Sequence, residues 1–184
     1  MSSKLFSPLK LRELTLPNRI AVSPMCQYSA QDGFINDWHL VHLGGRAVGG
    51  AGLVIMEAAA VLAAGRITPQ DVGIWQDAHI EPLRRLTRFI EAQGSFAGIQ
   101  LAHAGRKASV YRPWADKAGS IPAAEGGWNT VGPSALAFDA SFKAPAAMSV
   151  QDIALHVQAF ADAAQRALQA GFKVVEVHAA HGYL

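Results

Sequence analysis

The densest chemical signal in this sequence lies near its end, where His178, His181 and Tyr183 fall within six residues. Imidazoles spaced like His178 and His181 can share a ligand, or each can present an N–H donor to a carbonyl or nitro oxygen and polarise it. A zinc reading needs at least a third ligand, and no H-E-x-x-H helix or cysteine cluster supplies one, so no metal site is expected. Histidines that only satisfy their own hydrogen bonds are the plain alternative. Tyr183 follows His181 across Gly182, which lets its phenol lie beside whatever the histidines hold. With an ordinary pKa near about 10, a phenol can yield a proton to a forming carbanion or enolate.

Six other positions invite comparison. Tyr28 is a second phenol for the same rim, although a tyrosine without such neighbours is more often an amphipathic packing residue. Cys26, the single cysteine, has no identifiable partner base and an apolar setting after Pro24-Met25, which speaks against a thiolate nucleophile and is equally compatible with soft sulfur against an aromatic ring. Gln100 interrupts an apolar strand; a buried amide needs partners and matches the donor and acceptor edge of a heteroaromatic ring. Glu57, Glu176 and an inward Arg19 read as a structural charge network rather than catalytic groups.

The elements that must position these residues read as repeated strand and helix. Lys4 to Leu16 is an extended lead-in or short hairpin. Asn18 to Ser23 is a compact strand closed by Pro24, which cannot donate to a ladder. Asn36 or Asp37 caps a helix with Leu40, Leu43 and Ala47 on one face; Gly49-Gly50 ends it before a strand over Leu53 to Ala58. Pro82 opens a second helix carrying Leu83, Leu86 and Ile90, with Gly94 as its left-handed stop before a strand over Gly98 to Leu101. A third helix opens with Ser149 and Asp152 in capping-box spacing, carries Ile153, Val157, Phe160, Ala164 and Leu168 on one stripe, and ends at Gly171 ahead of a strand over Lys173 to Val177. Four strands with crossover helices fit a barrel or an open doubly wound α/β sheet, and in both the active residues gather at the C-terminal strand ends. Those ends hold Ser23 to Tyr28, Glu57 to Ala60, Gln100 to His103 and His178 to Tyr183. Residues 103–147 have no sustained period and far exceed an ordinary connection, so they read as a lid or small subdomain over the site.

Composition narrows the class. Of 184 residues, 51% are hydrophobic and 16% charged, which describes a folded globular chain. The net charge of +2 is spread without runs, so no nucleic-acid or membrane footprint appears and a small-molecule partner is expected. No apolar stretch is long enough for a membrane helix or signal peptide, and a lone cysteine fits a reducing cytoplasm. No G-x-G-x-x-G after a strand, P-loop or G-x-S-x-G elbow is present, which removes Rossmann, nucleoside-triphosphate and serine-hydrolase readings. After the last strand the chain stops at Leu184 with no helix to cover that strand's outer face; the expectation is a half awaiting its partner.

The stretches LFSPLKLRELTLPNRI, SPMCQYSA, GLVIMEA, GRITPQDVGIWQDAHI, GIQLAHAGRK and VVEVHAAHGYL together resemble the Old Yellow Enzyme family of flavin oxidoreductases, in its xenobiotic-reductase and thermostable ene-reductase subclass. The resemblance implies a TIM (β/α)8 barrel, of which residues 1–184 supply the first four strands as the N-terminal half of one flavin-binding domain. It implies FMN as cofactor and NADPH or NADH as reductant. Ser23, Pro24, Met25 and Cys26 would line the flavin, Ala58 would reach the pyrimidine edge through its backbone and Gln100 through its amide. His178 and His181 would hold the oxygen of an activated alkene, quinone or nitro compound, Tyr28 would help bind it, and Tyr183 would donate the proton in a ping-pong ene-reductase reaction. The full-length form is expected to be a homo-oligomer. The family's second half would supply a basic residue near flavin N1 and the phosphate-binding backbone, which leaves activity of residues 1–184 alone as a point for experiment. Two other expectations stand beside this one: a non-catalytic half-barrel fragment or assembly module, and an iron–sulfur relative of the dienoyl-CoA reductase or amine dehydrogenase type.

Overall fold

A computed structural model describes residues 3–184. The lead-in is an antiparallel hairpin, β1 (Leu9–Leu11) with β2 (Leu14–Leu16). A four-stranded parallel sheet follows in the order β3 (Ala21–Val22), β4 (Leu53–Ala60), β5 (Phe96–Ala102) and β8 (Val174–Val177). Between the sheet strands run α1 (Asp37–Val48), α2 (Ile80–Ala92) and α3 (Val150–Gln169). Spatial order follows chain order, as in the wall of a barrel rather than a sheet that reverses at a switch point.

Each helix starts and stops for a local reason. Asn36 caps α1 with its side chain on the Trp38 N–H, and Ser149 caps α3 in a box closed by Asp152. Gly171 closes α3 at φ +94°, a conformation any L side chain resists. On α2, Leu83, Leu86 and Ile90 are buried at helical spacing, each contributing roughly 1.5–3 kcal/mol by leaving water. They meet Val54, Met56, Ile99 and Leu101 of the central strands in one core. Strand β4 is buried along almost its whole length, which explains its unbroken apolar run.

Several expectations change in detail. The first strand is shorter than Asn18 to Ser23: only Ala21 and Val22 pair, because the backbone of Arg19 bonds instead to Leu5. Arg19 is not inward; it is exposed, and its Nε donates to Ser7 Oγ at 3.2 Å, since the entry to the strand follows the N-terminal turn. The stripe foreseen on α3 is only partly its packed face. Phe160 and Ala164 are half-buried against the core, but Ile153, Val157 and Leu168 are exposed, whereas Ala159, Ala163 and Ala167 are buried, because small side chains let the helix sit close on the sheet. Val175 and Val177 of β8 are 41% and 61% exposed, so the outer face of that strand lies open. Residues 103–147 hold two short 3-10 turns and one short parallel pair, β6 (Val131–Gly132) with β7 (Ala146–Ala147). Among the described residues no helix is long and apolar enough to cross a membrane.

Candidate active site

The C-terminal ends of the four sheet strands converge on a cavity of about 280 Å³ lined by Pro24, Cys26, Tyr28, Ala58, Ile67, Gln100, His178, His181 and Tyr183. A larger groove of about 1030 Å³ lies on the far side of the sheet between α1 and α2, distant from these groups. The smaller cavity is the chemically equipped one, since the titratable side chains meet there.

Strand β8 delivers the histidines. The His178 N–H donates to Leu101 O at 2.9 Å, the last bond of the β5–β8 ladder, and the chain then turns through His181 and Gly182, both at positive φ. The His178 and His181 ring centroids are 4.9 Å apart, and the Tyr183 ring lies 4.9 Å from His178 and 5.9 Å from His181. His178 Nδ1 accepts the Ala180 N–H at 3.3 Å, which places the ring proton on Nε2 as a free donor. Burial, and then the neighbouring His181, push the His178 pKa below its ordinary value, so the ring is neutral at pH 7. Burial pushes the Tyr183 phenol up to about 12 and raises that of Tyr28 as well, so both stay protonated.

The opposite wall comes from residues 23–28. Pro24 and Cys26 face the cavity, whereas Ser23 and Met25 stand exposed on the other side of the extended chain, outside the cavity lining. The Cys26 thiol is pushed up to about 12, first by burial and then by Asp71 and Glu57, which argues against a thiolate nucleophile. Tyr28 adopts φ +49° and packs edge-on to Trp114, centroids 5.5 Å apart. Gln100 and Glu176 are register partners, and Gln100 Nε2 donates to Glu176 Oε1 at 2.5 Å. Gln100 lines the cavity, and among the described residues its amide oxygen has no hydrogen-bond partner. Glu57 pairs with neither Glu176 nor Arg19; its Oε1 lies 3.6 Å from His39 Nε2 and its Oε2 accepts the Gln27 N–H at 2.8 Å.

Three neighbours were not singled out in the sequence. Ile67 reaches the cavity from a turn in which buried Asp71 accepts the N–H groups of Ile67 and Thr68 and the Thr68 hydroxyl, at 2.6, 3.2 and 2.8 Å. Lys107 Nζ donates to His181 O at 3.2 Å and sits 5.5 Å from the Tyr183 ring. Arg106 Nε donates to Gly182 O at 3.3 Å. The GRITPQD and HAGRK stretches held these residues, but nothing in their spacing pointed to the histidine turn. Among the described residues no group of three or more His, Cys, Asp or Glu is arranged to hold a metal ion.

Comparison with known proteins agrees with this geometry. The chain is 51% identical over 186 aligned residues to an NADH:flavin oxidoreductase of Gibberella zeae, covering 100% of this chain and 45% of that protein. It is 48% identical to the NADPH dehydrogenase of Bacillus subtilis, covering 100% of this chain and 50% of the relative. The crystal structure of Old Yellow Enzyme from Pichia sp. AKU4542 superposes with a TM-score of 0.83 at 28% identity, covering 98% of this chain and 47% of that enzyme. The chain thus spans about half the length of the curated relatives it matches, and its sheet is about half of their barrel. The profile of the NADH:flavin oxidoreductase / NADH oxidase family matches residues 4–184, and the chain belongs to that family.

Proposed function

We propose that this chain carries the substrate-facing wall, and part of the cofactor-facing wall, of an FMN-dependent NAD(P)H oxidoreductase that reduces activated C=C bonds of enals, enones, nitro compounds and quinones. The single observation that carries the reading is the meeting of two imidazoles and a protonated phenol, His178, His181 and Tyr183, across one cavity from Cys26 and Gln100.

The residues present fit a flavin. The Gln100 amide oxygen is an acceptor without a protein partner, the Cys26 thiol is neutral and soft, and Pro24 and Ala58 add an apolar, close-approach surface. Pro24, Cys26, Ala58 and Gln100 would hold the cofactor, with Ser23 and Met25 flanking them. FMN, held there, would supply the hydride chemistry that links NADPH or NADH to the substrate. The chain's own groups do the rest. His178 Nε2–H and His181 would grip the carbonyl or nitro oxygen and stabilise charge that develops there. Tyr183 would hand its phenolic proton to the α-carbon, and Tyr28 would border the substrate. Residues 103–147 would act as the cover, through Lys107 against the histidine turn and Trp114 against Tyr28.

The test is the visible absorption of the purified 184-residue chain after mixing with FMN and desalting. A retained flavin band that NAD(P)H bleaches is expected; a colourless chain would refute flavin binding by these residues alone. A second reading, an assembly module that pairs with another polypeptide, is favoured by the exposed apolar side chains Val157 and Leu168 of α3, 66% and 72% exposed, together with the open face of β8.

A further inference from the structure

Glu57 is 2% exposed and has no lysine or arginine partner, although a carboxyl taken out of water ordinarily demands one. Its place in the sheet is irregular. Met56 pairs with Ile99 and Ala58 with Gln100, so Glu57 is the extra residue of a β-bulge between them. Bulges re-aim side chains, and this one turns the Glu57 carboxyl away from the cavity lining and under residues 26–28. There its Oε2 accepts the Gln27 N–H at 2.8 Å. On the other side stands His39, fully buried. Its Nδ1 accepts the Asn36 N–H in the α1 capping box, so Nε2 carries the proton and points at Glu57 Oε1.

The gripped residue is flanked by the ones that matter to the cavity. Gln27 lies between Cys26 and Tyr28, and Tyr28 adopts a left-handed φ of +49° that a tyrosine does not hold without outside constraint. We propose that Glu57 is a positioning residue: by holding the Gln27 amide from the β4 bulge, it fixes the flanking Cys26 thiol and Tyr28 ring on the cavity wall. This rests on the reading of Cys26 and Tyr28 as site residues. It assigns Glu57 no contact with substrate or cofactor.

Cys26 is the single cysteine, so its alkylation by iodoacetamide in the native, flavin-free chain, followed by intact mass, reports the geometry of this wall alone. Loss of this bond and of the buried side chain that makes it opens the local structure, so Glu57→Ala should raise the alkylation rate on the order of tenfold or more. Glu57→Gln keeps an acceptor for the Gln27 N–H in a side chain of the same shape, and should restore a rate within a few-fold of the parent chain. Thr87→Val is the control. It removes the buried bond from Thr87 Oγ1 to Ala170 O between α2 and the end of α3, and should lower stability without exposing Cys26. Equal rates for Glu57→Ala and the parent overturn the proposal, as does an equal rise in Thr87→Val, or a rise in Glu57→Gln matching that of Glu57→Ala. If Glu57→Ala does not fold, amide exchange in the parent chain decides: protection of the Gln27 amide as strong as that of β4 supports the clamp, and rapid exchange sinks it. A chain that passes these tests and yet stays colourless with FMN refutes flavin binding by these residues alone and leaves the clamp standing.

Discussion

The Gln100–Glu176 bond offers a quantitative test of the site. Its donor is a neutral amide, its acceptor a carboxylate, and its length is 2.5 Å between register partners of β5 and β8. Such bonds contribute about 1.5–3 kcal/mol when sheltered, and the partial exposure of both side chains reduces this to about 1 kcal/mol. In a double-mutant cycle of Gln100→Leu and Glu176→Ala, urea unfolding at fixed pH should therefore give a coupling of about 1 kcal/mol. With a urea slope of about 2 kcal/mol/M, that moves the midpoint by about 0.5 M, well within measurement. The same cycle at saturating FMN should keep its coupling, because the amide N–H stays on Glu176 and only the amide oxygen turns to the ligand. A coupling below about 0.3 kcal/mol in the free chain would refute the bond; its disappearance on adding FMN would refute the assignment of the amide oxygen as the recognition atom.

Three further outcomes follow from the same geometry. Tyr183→Phe should slow alkene reduction about 10²–10⁴-fold, leave hydride uptake from NAD(P)H nearly unchanged in single-turnover measurements, and barely move thermal stability, because no hydrogen bond from its hydroxyl occurs among the described residues. Burial raises the Glu57 carboxyl to about 8, so the folded chain holds a proton that the unfolded chain releases near its ordinary value; stability should fall as pH rises from about 5 to 8, with His39, Asp71 and Cys26 as the facing titratable groups, and urea midpoints in Glu57→Gln should show a flatter profile. Sedimentation velocity should show concentration-dependent association of the chain, weakened by Val157→Glu with Val177→Lys; a monomer at all concentrations would remove these exposed side chains as a contact surface.

Why the fold was legible, and where it was not, comes down to period and caps. The caps at Asn36 and Ser149, the stops at Gly94 and Gly171, and the stripe Leu83, Leu86, Ile90 are local signals, and the structure follows them. Helix α3 shows the limit. It carries two apolar stripes, and hydrophobicity alone favours the one with larger side chains, Ile153, Val157 and Leu168. Close packing on the sheet selects the small one, Ala159, Ala163 and Ala167, because the distance between helix and strand is set by what fits. The larger side chains Ile153, Val157 and Leu168 are left exposed, a distinction that a moment along one helix does not contain.

The site divides in the same way. His178, His181, Tyr183, Tyr28, Cys26 and Gln100 could be picked out because each is a reactive or polar group at a strand end, where parallel sheets gather their chemistry. Glu57 was equally visible as a carboxyl in an apolar strand, yet its partner was misread, since an inward Arg19 seemed the natural counter-ion. Two features hid the truth. A bulge shifts the side chain by one residue relative to strict alternation, and the groups it meets are backbone amides, which every residue has and no sequence displays. The positive φ of Tyr28 is invisible for the same reason. A residue type shows what a side chain can do in chemistry, whereas the conformation that aims it belongs to contacts made by the main chain, and in this site the main chain is aimed by a carboxyl that never reaches the cavity.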